Sequence, residues 1–508
     1  MPASPDQPKD QPKAGPSPWA AVRCGLALAA LVAATAWPII LIGVQRGRMA
    51  SDQLFFHEIV VRVFRRDLPT PDLSNYLSAT TPGYHLSIAL GSLALGESRW
   101  MLQVLGSVFA IGLVGLLAWA CVRRAGTVLA VALALPIAAS LYVWPTAVWL
   151  LPDSAGWLGV LGVLLLALSD RQTAGRWLLA ALVLAGLVLV RQVHLWAAAM
   201  LWVSAWLGSS ILERQTDSLR SELALVTSDV PTRLKRTLVA IACTLPAFAV
   251  VAGFAALWGG LTPPAFAANA STGQVAHQGL NLATPAFVLA LFGALGAFFA
   301  APLAKPSLKL LKHSPVSIIT AVFVGLAISL AVPTTFDKDA GRWTGLWNLV
   351  AKLPTVGHAS PLIVALAIAG SIVLLVLGVS VDRRTRWVLF AAVVGFKAAQ
   401  SANPQLWQRY VEPFVLIVLA IGVASLVRTR TLGKLERVGL VAGPTVLAAM
   451  FAGLTALSVI RATPMDVEAI TQETEAYLAG DGPPPSPAYV RENTQTAEPD
   501  PDPEPGSR

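Results

Sequence analysis

Apolar runs recur along this chain at or near the length of a bilayer crossing, and nothing else in the sequence restricts its fold so strongly. About 20 consecutive apolar residues cross a hydrocarbon core. Such runs cover about Trp19 to Val44, then 100–122, 127–146, 153–169, 177–190, 194–212, 237–258, 285–301, 316–332, 361–380, 387–400, 411–427 and 438–460, with a shorter one at 83–96. A soluble fold cannot hide so many helices that are apolar all round. Only 13% of the 508 residues are charged, against about 25% in a typical soluble domain. The expected class is all-α, a polytopic integral membrane protein.

The net charge of +9 does not point to nucleic acid. Its basic residues fall in short clusters between apolar runs, which is the footprint of membrane topology. Membrane lipids are therefore the expected surroundings. Cys24, Cys121 and Cys243 are isolated and offer neither a disulfide framework nor a metal-binding pair. No metal and no cofactor are expected.

Lys and Arg placement gives an orientation. The clusters at Arg123–Arg124, Arg171/Arg176, Arg214 to Arg236, Lys305 to Lys312, Arg383 to Arg386 and Arg428 to Arg437 are read as inside. The loops at 46–82, Asp153, Arg191, 259–284, 333–360 and 403–410 then face outward. An odd number of crossings must separate 46–82 from Arg123, so the short run 83–96 is read as interfacial or re-entrant. About thirteen transmembrane helices remain. Residues 1–18 read as a disordered cytoplasmic lead and 19–460 as the multi-span domain, with 46–98 its first outer loop carrying interfacial helices. Residues 461–508 are acidic and Pro-rich, and are expected to be disordered.

The first outer loop is the most informative stretch. Phe56, Ile59, Val60, Val63 and Phe64 share one helical face, and Glu58, Arg62, Arg65 and Arg66 the other. This predicts a short amphipathic helix lying in the membrane surface, with Glu58 the i,i+4 partner of Arg62. Asp52 has two readings. It is an N-cap for that helix, or a carboxylate held at the water–lipid boundary as a general base.

The segment Asp52-Gln53-Leu54-Phe55-Phe56-His57, followed by Thr80-Thr81-Pro82-Gly83-Tyr84, resembles the first lumenal loop of the GT-C glycosyltransferases. In particular it resembles the dolichyl-phosphate-glucose-dependent α-1,2-glucosyltransferase family, which adds the last glucose to the N-glycan precursor. Further elements agree in order: YVWPTAVWLLPDSAG at Tyr142 to Gly156 with its acid at Asp153, Arg191-Gln192 followed by Trp196, and Arg409-Tyr410 before Pro413. The departures are Gln53 in place of a second acid, His57 displaced by one residue, and Asp rather than Glu at 153.

The resemblance implies a GT-C-like fold and an inverting transferase. It would move a hexose, glucose favoured, from a polyprenyl-phosphate sugar to a lipid-linked or other glycan acceptor. Asp52 would be the catalytic base, and Arg191 and Arg409 would bind the donor phosphate. His57, Tyr84, Asp153, Gln192 and Tyr410 would contact substrate. The site would face the periplasm from a bacterial inner membrane, or the lumen if the protein is eukaryotic. Each residue also has a plainer reading. Arg191 can snorkel, Asp153 can cap its helix, Arg409 can pair with Glu412, and Trp144, Trp149, Trp343, Trp347 and Trp407 can be interfacial anchors. Three other functions fit the sequence: a GT-C enzyme glycosylating protein or lipid A, a transporter or flippase, which would place charges at the bilayer midplane, and a scaffold that keeps the fold without the second acid.

Overall fold

The computed structural model describes residues 17–170, 173–208, 224, 227–271 and 279–485. Helices dominate, and pairing between extended segments among the described residues is limited to isolated bridges. Helix α1 (Pro18–Ile42) starts at Ser17, whose hydroxyl accepts from the Ala20 amide, and stops at Gly43 with φ +76°. The expected lead, apart from Ser17 and Pro18, lies outside the described residues.

Among the described residues, six helices are long and apolar enough to cross a membrane: α1, Arg99–Ala125, Val230–Trp258, Pro361–Ser380, Gln408–Thr429 and Lys434–Arg461. A bent pair, Thr284–Phe299 with Ala301–His313 at 91°, makes up to seven. Five shorter apolar helices accompany them, at Gly83–Leu95, Thr127–Ala139, Asp153–Ala167, Ala174–Val190 and Pro315–Leu330. The count of about thirteen crossings is thus not what helix length and composition support. Several apolar runs break before reaching crossing length. The run from 127 ends at Ala139 and gives way to a 3-10 turn at Trp144–Ala147, entered through Pro145. The runs between 177 and 212 are interrupted at Arg191, where the backbone leaves the helical region at φ −150°.

The Gln408–Thr429 helix is the axis of the bundle. Every residue from Val411 to Leu426 is buried, which is why its sequence is apolar on all faces. Small residues let two neighbouring helices, Thr284–Gly296 and Pro361–Ser380, approach each other: a Cβ on Gly293 or Gly370 would run into the facing backbone, the close packing that membrane helices favour. The periphery is apolar too, with Leu26, Ile319, Phe323 and Leu435 at least 65% exposed. Such a surface is stable only against lipid. The chain is an integral membrane protein.

Two expectations about the outer loop are corrected. Helices α2 (Gly47–Asp52) and α3 (Ile59–Asp67) are joined without a break by a π-helical turn, Gln53–Glu58. The apolar face of α3 does not rest on the membrane surface. Ile59, Val60, Val61 and Phe64 pack against protein, with Tyr76, Tyr84 and Ile88, the latter two on α4 (Gly83–Leu95). Its arginines have protein partners as well. Arg62 bonds Glu58 at 2.9 Å, Arg65 pairs with Glu97, and Arg66 reaches Asp67 and the Leu478 carbonyl.

The tail is not disordered from its start. Residues 467–479 form a helix capped by Asp466. It docks on the outer loop through Ile470, which shares a cluster with Leu54 and Phe55, and through Thr471, which accepts from Arg99 at 3.1 Å. The acidic composition hid three apolar contact residues, Ile470, Met465 and Tyr477. Residues 486–508 lie outside the described residues.

Candidate active site

Three helix ends meet the side of a continuous helix at one place. Asp52 is the last residue of α2, where it runs on into the π-helical turn, Asp153 opens the helix Asp153–Ala167, Arg191 follows the helix Ala174–Val190, and Arg409 is the second residue of Gln408–Thr429. Arg409 Nη1 donates to Asp52 Oδ2 at 2.6 Å and to Met49 Sδ at 3.4 Å. Arg191 Nη1 donates to Asp153 Oδ1 at 2.6 Å. Arg409 Nε lies 3.6 Å from that same Asp153 oxygen, too long for a hydrogen bond but close enough for Coulombic attraction. Tyr410 sits beneath both cations, its ring centroid 5.2 Å from the Arg191 guanidinium carbon and 5.4 Å from that of Arg409.

The plainer readings of these residues do not describe the structure. Asp52 continues a helix at φ −56°, ψ −41° and makes no capping bond. Asp153 likewise makes no capping bond. Arg191 is ion-paired rather than snorkelling. Glu412 does not pair with Arg409. It is buried, and accepts instead from Ser140 Oγ and Gln408 Nε2, both at 2.6 Å.

The two carboxylates differ in access. The Asp153 side chain is 2% exposed and that of Asp52 is 17% exposed. Asp153 therefore holds the two arginines from below. Asp52 can be reached by substrate, and its Oδ1 makes no hydrogen bond among the described residues. Each guanidinium carries five N–H donors, most of them uncommitted here.

The other expected site residues stand behind this cluster. His57 Nδ1 is 3.0 Å from His85 Nε2, with the rings stacked. Burial, helped by the positive charge of Arg409 and Arg191 and opposed by Asp153, pushes the His57 imidazole down to about 3, so it is neutral at physiological pH. Tyr84 is fully buried, edge-on to His85. Gln192 works as a strut: its amide donates to the Ala79 and Leu261 carbonyls at 2.8 Å, and its oxygen accepts from the Thr81 amide at 3.1 Å. The Thr80-Thr81-Pro82-Gly83 stretch is thereby tied to the Arg191 turn. Gln53 is also committed, accepting from Gln103 Nε2 and the Leu150 amide and donating to Glu58.

Sequence reasoning missed His194 and Arg48. His194 is buried beside Trp157, and both ring nitrogens lack a hydrogen-bond partner among the described residues. Its spacing of three from Arg191 on a 3-10 turn was the available signal, because that turn brings i and i+3 together. Of the presumed anchors, Trp149 and Trp347 are core residues, 3% and 0% exposed. No group of three or more His, Cys, Asp or Glu among the described residues is placed to hold a metal.

No protein-family model matches the chain, and no curated protein matches it significantly. Solved structures do. ArnT from Cupriavidus metallidurans bound to undecaprenyl phosphate aligns at 14% identity and TM-score 0.39, over 89% of this chain and 68% of that one. Its apo form aligns at 14% and 0.33, over 84% and 77%. The archaeal oligosaccharyltransferase AglB from Archaeoglobus fulgidus, in complex with an inhibitory peptide and a dolichol-phosphate, aligns at 12% and 0.41 over 91% of this chain. The chain spans 60% of the length of AglB.

Proposed function

We propose that the protein is a GT-C-type glycosyltransferase that takes a hexose, glucose favoured, from a polyprenyl-phosphate sugar and passes it to a hydroxyl of a lipid-linked glycan. The observation that carries this reading is the meeting of Asp52, Asp153, Arg191 and Arg409, residues far apart in the chain, in one ion-pair network with an accessible carboxylate.

The chemistry is one displacement. Asp52 Oδ1 takes the proton of the acceptor hydroxyl while that oxygen forms a bond to the anomeric carbon. The bond from the anomeric carbon to the phosphate oxygen breaks, its electron pair leaves with the phosphate, and the anomeric configuration inverts. A positioned base contributes typically 10²–10⁴-fold. Arg191 and Arg409 supply N–H donors where charge develops on the phosphate, and guanidinium forks match phosphate oxygens. Asp153 fixes both guanidiniums, and Tyr410 supports them from beneath. His57, Tyr84 and Gln192 hold the outer loop against this centre. The site is assigned to the extracytoplasmic face of a bacterial inner membrane, in keeping with basic clusters on the opposite side.

The test is sugar transfer by the purified protein from a panel of polyprenyl-phosphate hexoses, with Asp52→Asn in parallel. Transfer by the wild type and its loss in Asp52→Asn are expected. Full activity in Asp52→Asn would remove Asp52 as the base, and no transfer or donor binding by the wild type would overturn the reading.

A further inference from the structure

The four-residue network is electrically balanced before substrate arrives, two carboxylates against two guanidiniums. Donor binding unbalances it. A sugar phosphodiester brings one negative charge to a neutral network, and transfer keeps that excess, because the proton taken up by Asp52 offsets the charge gained by the leaving phosphate, which carries about −1.5 to −2 near neutral pH once released. Neither arginine of the network is free of a carboxylate. The chemistry calls for a further, uncompensated cation beside them.

Arg48 has that character. It lies on α2 four residues before Asp52, one helical turn away and on the same side of the helix. It is exposed, and among the described residues it makes no hydrogen bond or ion pair. Its guanidinium carbon rests 4.4 Å from the Trp343 ring centroid and 5.0 Å from that of Trp407. Those two rings meet edge to face at 5.5 Å, and Trp407 stacks on Tyr410 at 5.4 Å. The guanidinium of Arg409 lies 5.9 Å from the same Trp407 ring, so Arg48 and the network share one indole. Aromatic faces hold a guanidinium through its π-surface and leave the N–H edge unspent.

We infer that Arg48 is a third phosphate-binding residue, parked on Trp343 and Trp407 and donating to the lipid phosphate as it leaves. The inference rests on the polyprenyl-phosphate reading above. Arg191 and Arg409 orient the donor in the ground state. Arg48 offsets the negative charge that arrives with the donor and stays with the lipid phosphate, and the released polyprenyl phosphate is its strongest ligand.

The test compares wild type, Arg48→Gln and Arg48→Lys as full-length protein in detergent. Equilibrium binding of a polyprenyl monophosphate and of the matching uncharged polyprenol is followed by tryptophan fluorescence, and turnover is measured with the sugar donor. Arg48→Gln is expected to weaken monophosphate binding about 10–100-fold, the range for a lost charged hydrogen bond, with polyprenol binding unchanged. Turnover should fall by a similar factor, and Arg48→Lys should lie between. Equal monophosphate affinity in wild type and Arg48→Gln would overturn the assignment and leave the transferase reading standing. A parallel loss for polyprenol would also overturn it, showing a packing role. A wild type that binds no monophosphate would overturn both readings.

Discussion

Replacing Asp153 by Asn separates the support of the site from its chemistry. Asp153 is 1% exposed. Its Oδ1 accepts from Arg191 at 2.6 Å and draws Arg409 Nε to 3.6 Å. Asp153→Asn keeps the shape and one carbonyl acceptor but removes the charge, leaving Arg191 without an ion-pair partner among the described residues. Breaking a buried pair from one side costs about 3–5 kcal/mol, and the surviving carbonyl puts the expected loss near ~3 kcal/mol. Asp52→Asn acts on a more exposed pair, with side chains 12% and 17% accessible, so its cost should be about 1–2 kcal/mol. The order reverses for activity, where Asp52→Asn is the more damaging. Unfolding in mixed detergent micelles and sugar transfer measure the two quantities. The double variant Asp153→Asn/Arg191→Gln should recover about 1–3 kcal/mol relative to additivity. An Asp153→Asn protein within about 1 kcal/mol of wild type, or one less destabilised than Asp52→Asn, would refute this division of roles.

Asp52→Asn should lower turnover by about 10²–10⁴-fold, with donor affinity largely kept, as read by separate binding and rate measurements. Gly156→Ala should disturb the site from behind, because its Cβ would lie 2.9 Å from His194 Nε2 and 3.3 Å from Arg191 Cδ; turnover should drop about 10–100-fold, as expected for a displacement near 1 Å, and unchanged kinetics would count against Arg191. His57 is held neutral in the fold, with its pKa down at about 3 from 6.5. The unfolded chain therefore binds the extra proton between these values, and stability falls as pH drops from about 6.5 toward 3, by up to ~1.4 kcal/mol per unit from this group. His57→Gln should flatten that slope in pH-dependent unfolding. Ile470→Asp should release the C-terminal helix from Leu54 and Phe55, forfeiting about 1.5–3 kcal/mol of burial, and limited proteolysis between 461 and 485 should speed up.

The sequence by itself determined the class of this protein. Apolar runs of bilayer length and sparse charge leave helices in a membrane as the one outcome, because backbone groups in lipid must pair within their own segment. Short motifs resembling those of the GT-C glycosyltransferases also singled out Asp52, Asp153, Arg191 and Arg409. Tertiary structure alone decided what those residues do to one another. That Arg409 bridges Asp52 and Asp153 and ignores Glu412, three residues away, depends on how helices distant in the chain converge, which no local pattern encodes. The sequence count of about thirteen crossings is not confirmed by helix length. Hydropathy sees apolar length but not that one helix stops at Ala139 or that another ends at Arg191. The amphipathic face of α3 looked the same whether lipid or protein would cover it. Packing against Tyr76, Tyr84 and Ile88 settled that, and Ile470 separately docks on Leu54 and Phe55 a tail helix whose composition read as disorder.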